Sequence, residues 1–408
     1  MPPIEWTKGL DPTPLIAKIA DSVSVGQDGA LTFTGFEHFE HDAVLHSILS
    51  FPAELPESEA HRIVGAALSA ALHRPPLTPV SFISEANRLH AQYVRRAISP
   101  YVLITTTSIR ASAVLPAVHL RGCHVSLSRR PSTTVLTQRG RIELNALSSL
   151  HYEPPVNYMY ARVTVRARSP FEAADNALDA LDLARGLLNW GENRRTFMRF
   201  SSGISKPVNE IRLGPIHTLH RPDGRLATET WWYEPSFQAS TFPFAVQQPL
   251  VNFQASAIQR LRRHPYQRLC EDAVIRYTRA LDEGEPVTAF LKLWSVLELL
   301  TGSSHSYDTA IRRVSFLFQE HYYHLLVLNH LRRFRNATVH ESATSQAIQT
   351  YLYQLKRYVD TLLTFHLTRG RRLVSLDRAI EFLDLPPDEV ELARRARLFQ
   401  SGRRYRMK

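Results

Sequence analysis

From residue 158 to 167 the chain alternates. Met159, Ala161, Val163, Val165 and Ala167 are apolar, while Tyr160, Arg162, Thr164 and Arg166 fall between them. A period of two over that length predicts a strand with one buried and one polar face. The period changes at "SPFE". Ser169 can cap a helix, Pro170 suits the first helical position, and Glu172, three residues after Ser169, completes a capping box. The helix that follows carries its apolar face on Phe171, Ala174, Leu178, Leu181 and Leu188. Residues 211–233 then read as a hairpin, with Asp223-Gly224 supplying the turn.

The same patterning predicts helices over 58–73, opening on Ser58, and over 84–98, with strands at 101–109 and 122–130. The stretch 236–257 is rich in Phe, Gln, Ser and Pro and poor in charge, and it reads as a passage between two regions. From about residue 256 onward, helical spacing dominates. Predicted helices stop at Pro265, Gly284, Gly302 and Gly370, as helix-end rules expect. The expected class is α+β: a mixed sheet and helix region over 1–240, an all-α bundle over 255–370, and C-terminal helices with a basic tail over 371–408. Residues 1–150 carry no motif that assigns them a function.

With 44% apolar and 21% charged residues, the 408-residue chain has a globular rather than a disordered composition. No window of about 18 apolar residues occurs, so no membrane span is expected. The opening residues lack the pattern of a signal peptide. Cys123 and Cys270 lie far apart and form neither a zinc pattern nor a disulfide framework, so a reduced cytoplasmic protein is expected. The net charge of +11 and a pI of about 9.8 favour a polyanionic partner such as RNA or DNA. Only six of the 49 basic residues are lysine, and such an arginine bias also follows from genome composition alone. There is no Walker-type loop and no G-x-G-x-x-G, so no nucleotide-driven motor and no dinucleotide cofactor is expected.

One stretch concentrates hydrogen-bonding chemistry: "RRFRNATVHES", residues 332–342. On a helix, Leu328, Leu331, Phe334 and Thr338 form the buried stripe. Arg332, Asn336 and His340 recur at four-residue steps on another face, flanked by Arg335. Arg335 and His340 lie about 140° apart around the axis, a gap that a long guanidinium side chain can bridge. The spacing fits either of two readings: a solvated face near a helix C-terminus, where cations are favourable, or a small catalytic set.

Residues 266–370 resemble the HEPN superfamily, in particular its Apea-like group. Arg335, Asn336 and His340 match that superfamily's signature of Arg, a polar residue, three residues and His. "FLKLWSVLELLTG" looks like the family's second helix, with Glu298 at its acidic position, and "YDTAIRRVSFLF" and "TYLYQLKRYVDTLL" stand where its short and closing helices stand. The strand, helix and hairpin at 158–233 are similar to what precedes this domain in Apea-like proteins. The resemblance implies a helical bundle that dimerises so that two motifs share one cleft. It implies a metal-independent endoribonuclease, often a toxin with an antitoxin partner or an antiphage effector. It also leaves open a non-catalytic member that binds RNA or recognises a partner.

In the catalytic case RNA supplies its own nucleophile, the 2′-OH. His340 would be the acid or base, since imidazole titrates near neutrality. Arg335 would hold the non-bridging phosphate oxygens, and Asn336 would orient the imidazole or bond the phosphate. Arg332 and Arg333 would attract the RNA backbone. A homodimer would bring a second histidine. No metal and no cofactor enters this scheme.

Other clusters are weaker. His38, His41 and His46 sit near acids without zinc spacing and read as a polar loop. "HYYH" at 321–324 reads as a helix start with partly buried rings, with base stacking as the alternative. "TWWYEP" at 230–235 reads as strand core, and "GSSHS" at 302–306 as a loop. Arg394, Arg395 and Arg397 fit an RNA contact and a wet helix face equally well.

Overall fold

The computed structural model describes residues 2–25, 31–33, 37–110, 113–128, 130–152, 155–196, 198, 206–239, 242–303, 306–341 and 347–405. The chain is α+β, with strands in its first 233 residues and helices only from residue 248 to 405.

The first unit comprises β1 (Glu5–Trp6), α1 (Thr13–Asp21), β2 (Val23–Val25), β3 (Leu31–Phe33), α2 (Glu37–Ser47), β4 (Leu49–Ser50), α3 (Glu57–Leu72) and α4 (Pro79–Arg95). It has a core of its own, built from Ile4, Ile16, Ile19, Leu45, Ile63, Val64, Leu68, Phe82 and their neighbours. Asn87 of α4 holds the start of the chain: its Oδ1 accepts from the Ile4 N–H at 2.8 Å and its Nδ2 donates to the Ile4 carbonyl at 2.9 Å. The expected cap on α3 does not form. Its N-cap position is Pro56, and Ser58 lies one residue inside the helix. The histidine-rich stretch read as a loop is the helix α2, in which the His46 ring stacks on His61 at 3.7 Å and 9°. The side chain of His38 lies outside the described residues.

A six-stranded antiparallel sheet follows: β5 (Ser99–Arg110), β6 (Val118–Leu120), β7 (Cys123–Ser128), β8 (Tyr158–Ala167), β9 (Ile216–His220) and β10 (Leu226–Tyr233). Its strand order is β10-β9-β5-β8-β7-β6. The alternation of β8 sets its two faces. Ala161, Val163, Val165 and Ala167 are buried, whereas Arg162 and Arg166 are exposed. Between β7 and β8, α5 (Thr133–Leu150) packs on the polar side, over β9 and β10. The hairpin turns at Gly224, whose φ of +89° lies in the left-handed region that glycine alone adopts freely. "TWWY" forms the half-exposed end of the edge strand β10 rather than core.

On the apolar side lies α6 (Pro170–Asn193). Ser169 Oγ accepts from the Glu172 N–H at 3.1 Å, and the Glu172 carboxylate accepts from the Arg168 N–H at 2.6 Å. The return bond therefore reaches one residue before the cap. Leu181 and Leu188 are buried as expected, but so is every residue from Ala180 to Gly191. The sequence pattern gave α6 a single apolar face. It is instead the central element, with the sheet on one side and the C-terminal helices on the other.

Those helices are α7 (Gln248–Arg262), α8 (Gln267–Leu281), α9 (Pro286–Thr301), α10 (Tyr307–Ser315), α11 (His321–Glu341), α12 (Ile348–Thr364), α13 (Leu376–Leu383) and α14 (Glu389–Tyr405). A π turn at Phe365–Arg369 and a short 3-10 turn at Gly370–Arg372 end α12. One hydrophobic cluster runs without a break from Leu103 and Val163 of the sheet, through α6, to Phe290, Trp294, Leu328 and Leu362. The approach of α8 to α6 needs Gly186, because a Cβ there would lie 2.1 Å from the Thr278 Oγ1. Among the described residues, no helix is long and apolar enough to cross a membrane.

Candidate active site

The stretch 332–341 forms the end of α11. Leu328 and Leu331 are fully buried, and Phe334 stands edge-on to Phe290 of α9 at 5.2 Å and meets Tyr351 of α12 at 5.1 Å. These contacts fix the helix's rotation and turn Arg332 toward α10 and Arg335 toward α9 and α10. The side chains of Thr338, His340 and Glu341 lie outside the described residues, as do residues 342–346.

Arg335 is half-buried, and its guanidinium carbon sits 4.8 Å from the centroid of the Tyr307 ring. Tyr307 opens α10, whose N-cap Ser306 accepts from the Thr309 N–H at 3.3 Å. Behind Tyr307 stands the buried Trp294 of α9, edge-on at 6.3 Å. Its indole N–H donates to Glu298 Oε1 at 3.1 Å. Burial pushes the Glu298 carboxyl above its usual range, and the Trp294 bond and the Arg335 charge pull it only partly back. Arg335 is thus clamped through its face and close to one carboxylate, yet none of its N–H groups donates to a described residue. A guanidinium held by its π surface keeps its donor fork available for an oxyanion.

Asn336 adds a second unspent group. Its Oδ1 is buried and has no hydrogen-bond partner among the described residues. An unmet buried carbonyl oxygen costs about 1–3 kcal/mol, and a structure retains such a cost where the group serves another purpose. Arg332 behaves differently from the expectation that it stands free to attract RNA, because it forms an ion pair with Asp308 of α10. Arg333 is exposed, with no carboxylate partner among the described residues.

The structure therefore brings Arg335 and Glu298 together between α9, α10 and α11, with Asn336 next to Arg335 on α11 and the backbone of His340 one turn farther along it. Tyr307, Trp294 and Asp308 escaped the reading of the sequence. The short helix that begins at Tyr307 was read from the sequence, but no spacing ties that residue to α11. Among the described residues no group of three or more His, Cys, Asp or Glu side chains is placed to hold a metal.

The remaining sequence candidates sort by contact. In "HYYH", Tyr322 and Tyr323 are 70% and 57% exposed, whereas His324 is buried with its Nδ1 2.9 Å from the Tyr358 hydroxyl. Burial lowers the His324 pKa. Arg394 and Arg395 both bind Glu391 of their own helix, at 2.6 and 2.9 Å, while Arg397 meets only the Ala393 carbonyl. In "GSSHS", Gly302 ends α9 in the left-handed region, and residues 304–305 lie outside the described residues.

No family model matches this chain. No curated protein and no solved structure matches it either.

Proposed function

We propose that the chain is a metal-independent endoribonuclease of HEPN type, which cleaves RNA through the 2′-OH of its substrate. The observation that carries this reading is Arg335: half-buried, clamped on Tyr307, and with its donor fork unspent among the described residues. It shares its helix with Asn336, whose Oδ1 is unmet, and with His340 in the spacing that resembles the HEPN signature. In this reading Arg335 neutralises the charge that develops on the non-bridging oxygens. His340 transfers a proton to or from the ribose hydroxyl or the leaving oxygen, and Asn336 orients one of them. Arg333 adds attraction to the backbone, whereas Arg332 does so only through what its pair with Asp308 leaves over.

One motif supplies one imidazole, and cleavage by acid and base needs two such groups. We therefore place a homodimer in the scheme, formed through the C-terminal helices. Tyr322, Tyr323 and Leu326 of α11 and Val390, Leu398 and Phe399 of α14 expose apolar surface that a second copy would cover. The setting we propose is a cytoplasmic toxin or antiphage effector, held in check by an antitoxin or defence-system partner. The first unit, with its separate core, would select the target or sense the trigger.

Three measurements test the reading. Overproduction should slow growth, and His340→Ala should relieve it at equal protein level. Purified protein incubated with mixed tRNA, mRNA and DNA should cut RNA alone. Ultracentrifugation should then show twice 46.5 kDa. Undiminished growth, with no RNA cleaved by soluble folded protein, would leave a non-catalytic RNA-binding or partner-recognition role in its place.

A further inference from the structure

On the polar side of the sheet, opposite α6, lies a groove of about 380 Å³. Its floor is Val102 and Ile104 of β5, Ser126 of β7, and Tyr160 and Arg162 of β8. One wall is the start of α5, with Arg130, Pro131, Ser132 and Val135, and the other is the hairpin turn from Arg221 to Gly224. The two walls meet where Gly224 packs against Thr134 and Val135, so the groove is closed at that end.

Three arginines, Arg130, Arg162 and Arg221, line this space. Arg162 and Arg221 are exposed, and neither has a carboxylate partner among the described residues. The one acid in the lining, Asp223, is engaged in the turn itself: its carboxylate accepts from the Arg225 N–H at 3.0 Å and faces the Arg225 side chain at 3.8 Å. A fourth positive charge lies buried beside the groove, between α5 and the sheet. Arg139 of α5 is 1% exposed and donates to the carbonyls of Ile104 and Ile216, both at 2.9 Å, within electrostatic reach of Tyr160. Glu143 is its one carboxylate contact, at 3.3 Å. Burial holds the Arg139 pKa below the usual guanidinium range. The groove's surface charge is thus positive with a further buried cation behind it, a potential that low-dielectric walls concentrate.

The α5 wall strengthens this bias. Ser132 stands at the N-cap but makes no capping bond, and the N–H groups of Thr133, Thr134 and Val135 donate to no described residue. An 18-residue helix directs the positive end of its dipole here. Beside the charges sits an aromatic ring, Tyr160, packed against Val102, Ile104 and Val135. Arg166, four residues after Arg162 on the same strand face, continues the basic line away from the groove.

We propose that this groove binds a nucleotide unit, with its phosphate between Arg162, Arg221 and the start of α5 and its base against Tyr160. The volume suits one nucleotide and is too narrow for a duplex. Both a free mononucleotide and one residue of a single RNA strand present this chemistry. The groove is separate from the α11 site, and its ligand need not be the strand that α11 cuts.

The full-length protein should be titrated calorimetrically with 5′-AMP, adenosine, inorganic phosphate and a single-stranded RNA pentamer. Expected is binding of 5′-AMP or the pentamer, at least tenfold tighter than adenosine and weakened by salt. Arg162→Glu and Arg221→Gln should each lower the affinity at least tenfold. Arg221 lies on an exposed turn, so its variant keeps the test valid where the strand variant folds poorly. Binding by 5′-AMP identifies a free nucleotide as the source, and binding by the pentamer alone identifies a strand. His340→Ala should retain the binding whether or not it retains cleavage, which separates this site from the α11 reading. No binding by any phosphate-bearing probe, or binding that both arginine variants leave unchanged, overturns the proposal.

Discussion

Two polar clusters in this protein use arginine in opposite ways. Between α6 and α8, Arg185 donates to Asp182 at 2.6 Å, to Asp282 at 2.6 Å and to the Ile211 carbonyl at 3.2 Å. Arg279 closes the same cluster on Asp182 and Asp179, each at 2.7 Å. Every charge there is spent on another, and burial in the low-dielectric core makes the set hard to open. Between α9, α10 and α11, Arg335 is held by a ring face, and beside it on α11 the Asn336 Oδ1 is unmet among the described residues. The first cluster locks the central helix to the bundle. The second leaves polar capacity unspent among the described residues, and the proposed reading assigns that capacity to a ligand.

This contrast breaks most sharply at the motif. His340→Ala should lower the cleavage rate by about 10² to 10⁴, the range for loss of a proton-transfer group. Arg335→Ala should lower it by about 10² to 10³, as for loss of one oxyanion donor. Melting temperature should shift little for Arg335→Ala, because the described residues lose one cation–π contact of about 0.5–1 kcal/mol and the attraction of that charge for the Glu298 carboxyl. A large drop in melting temperature would make that arginine structural. Arg185→Met should do the reverse. It leaves Asp182 and Asp282 buried with a missing cation, which costs about 3–5 kcal/mol by denaturant titration. Activity should fall only in proportion to the unfolded fraction.

Asn336→Ala sharpens the comparison at lower amplitude. Cleavage should fall about tenfold, by an orienting contribution of about 1.4 kcal/mol. Stability should stay level or rise by up to about 1 kcal/mol, since the substitution removes an unmet buried oxygen. A clear destabilisation would show that the amide is satisfied in solution and holds no reserve.

The smallest effect is expected at Arg313 of α10, whose fork is fully used on Asp384, at 2.8 and 2.7 Å, and on the Thr301 carbonyl. These bonds hold the Asp384 carboxyl below its usual range, against a weaker opposing push from burial. A lowered folded pKa adds stability above the unfolded value of about 3.9 and loses it as pH falls through the folded one. Asp384→Asn should therefore cost about 1 kcal/mol at pH 7, after allowance for partial exposure. The difference from wild type should vanish in acid.

Much of this fold was legible because its signals are local. The alternation of β8, the Ser169 cap, the Asp223-Gly224 turn and the glycine at the end of α9 each specify their element without distant help. What escaped depends on tertiary packing. The helix α6 was read as amphipathic, but the sheet and the bundle enclose it from both sides, and no periodicity reports a second neighbour. The helix α2 hides behind its own histidines and acids, which resemble a polar loop. At the site, Arg335 and Asn336 were found from their own segment and Glu298 from the resemblance, whereas the contacts of Tyr307 and Trp294 and the Arg332–Asp308 pair exist only once α10 packs on α9 and α11.

The central claim is that α11 carries out phosphodiester transfer with an arginine and a histidine, the ribose supplying the nucleophile. The most direct test uses one RNA oligonucleotide, cut by the purified protein in EDTA, beside the same oligonucleotide with a single 2′-deoxy sugar at the scission point. Cleavage of the first should persist and leave a 2′,3′-cyclic phosphate and a 5′-OH, with a rate that bends near the imidazole pKa of about 6.5. The second should resist cutting at that position, and His340→Ala should cut neither. Loss of cleavage in EDTA, or equal cutting of the deoxy substrate, would contradict the account and point to a metal-activated water as the nucleophile.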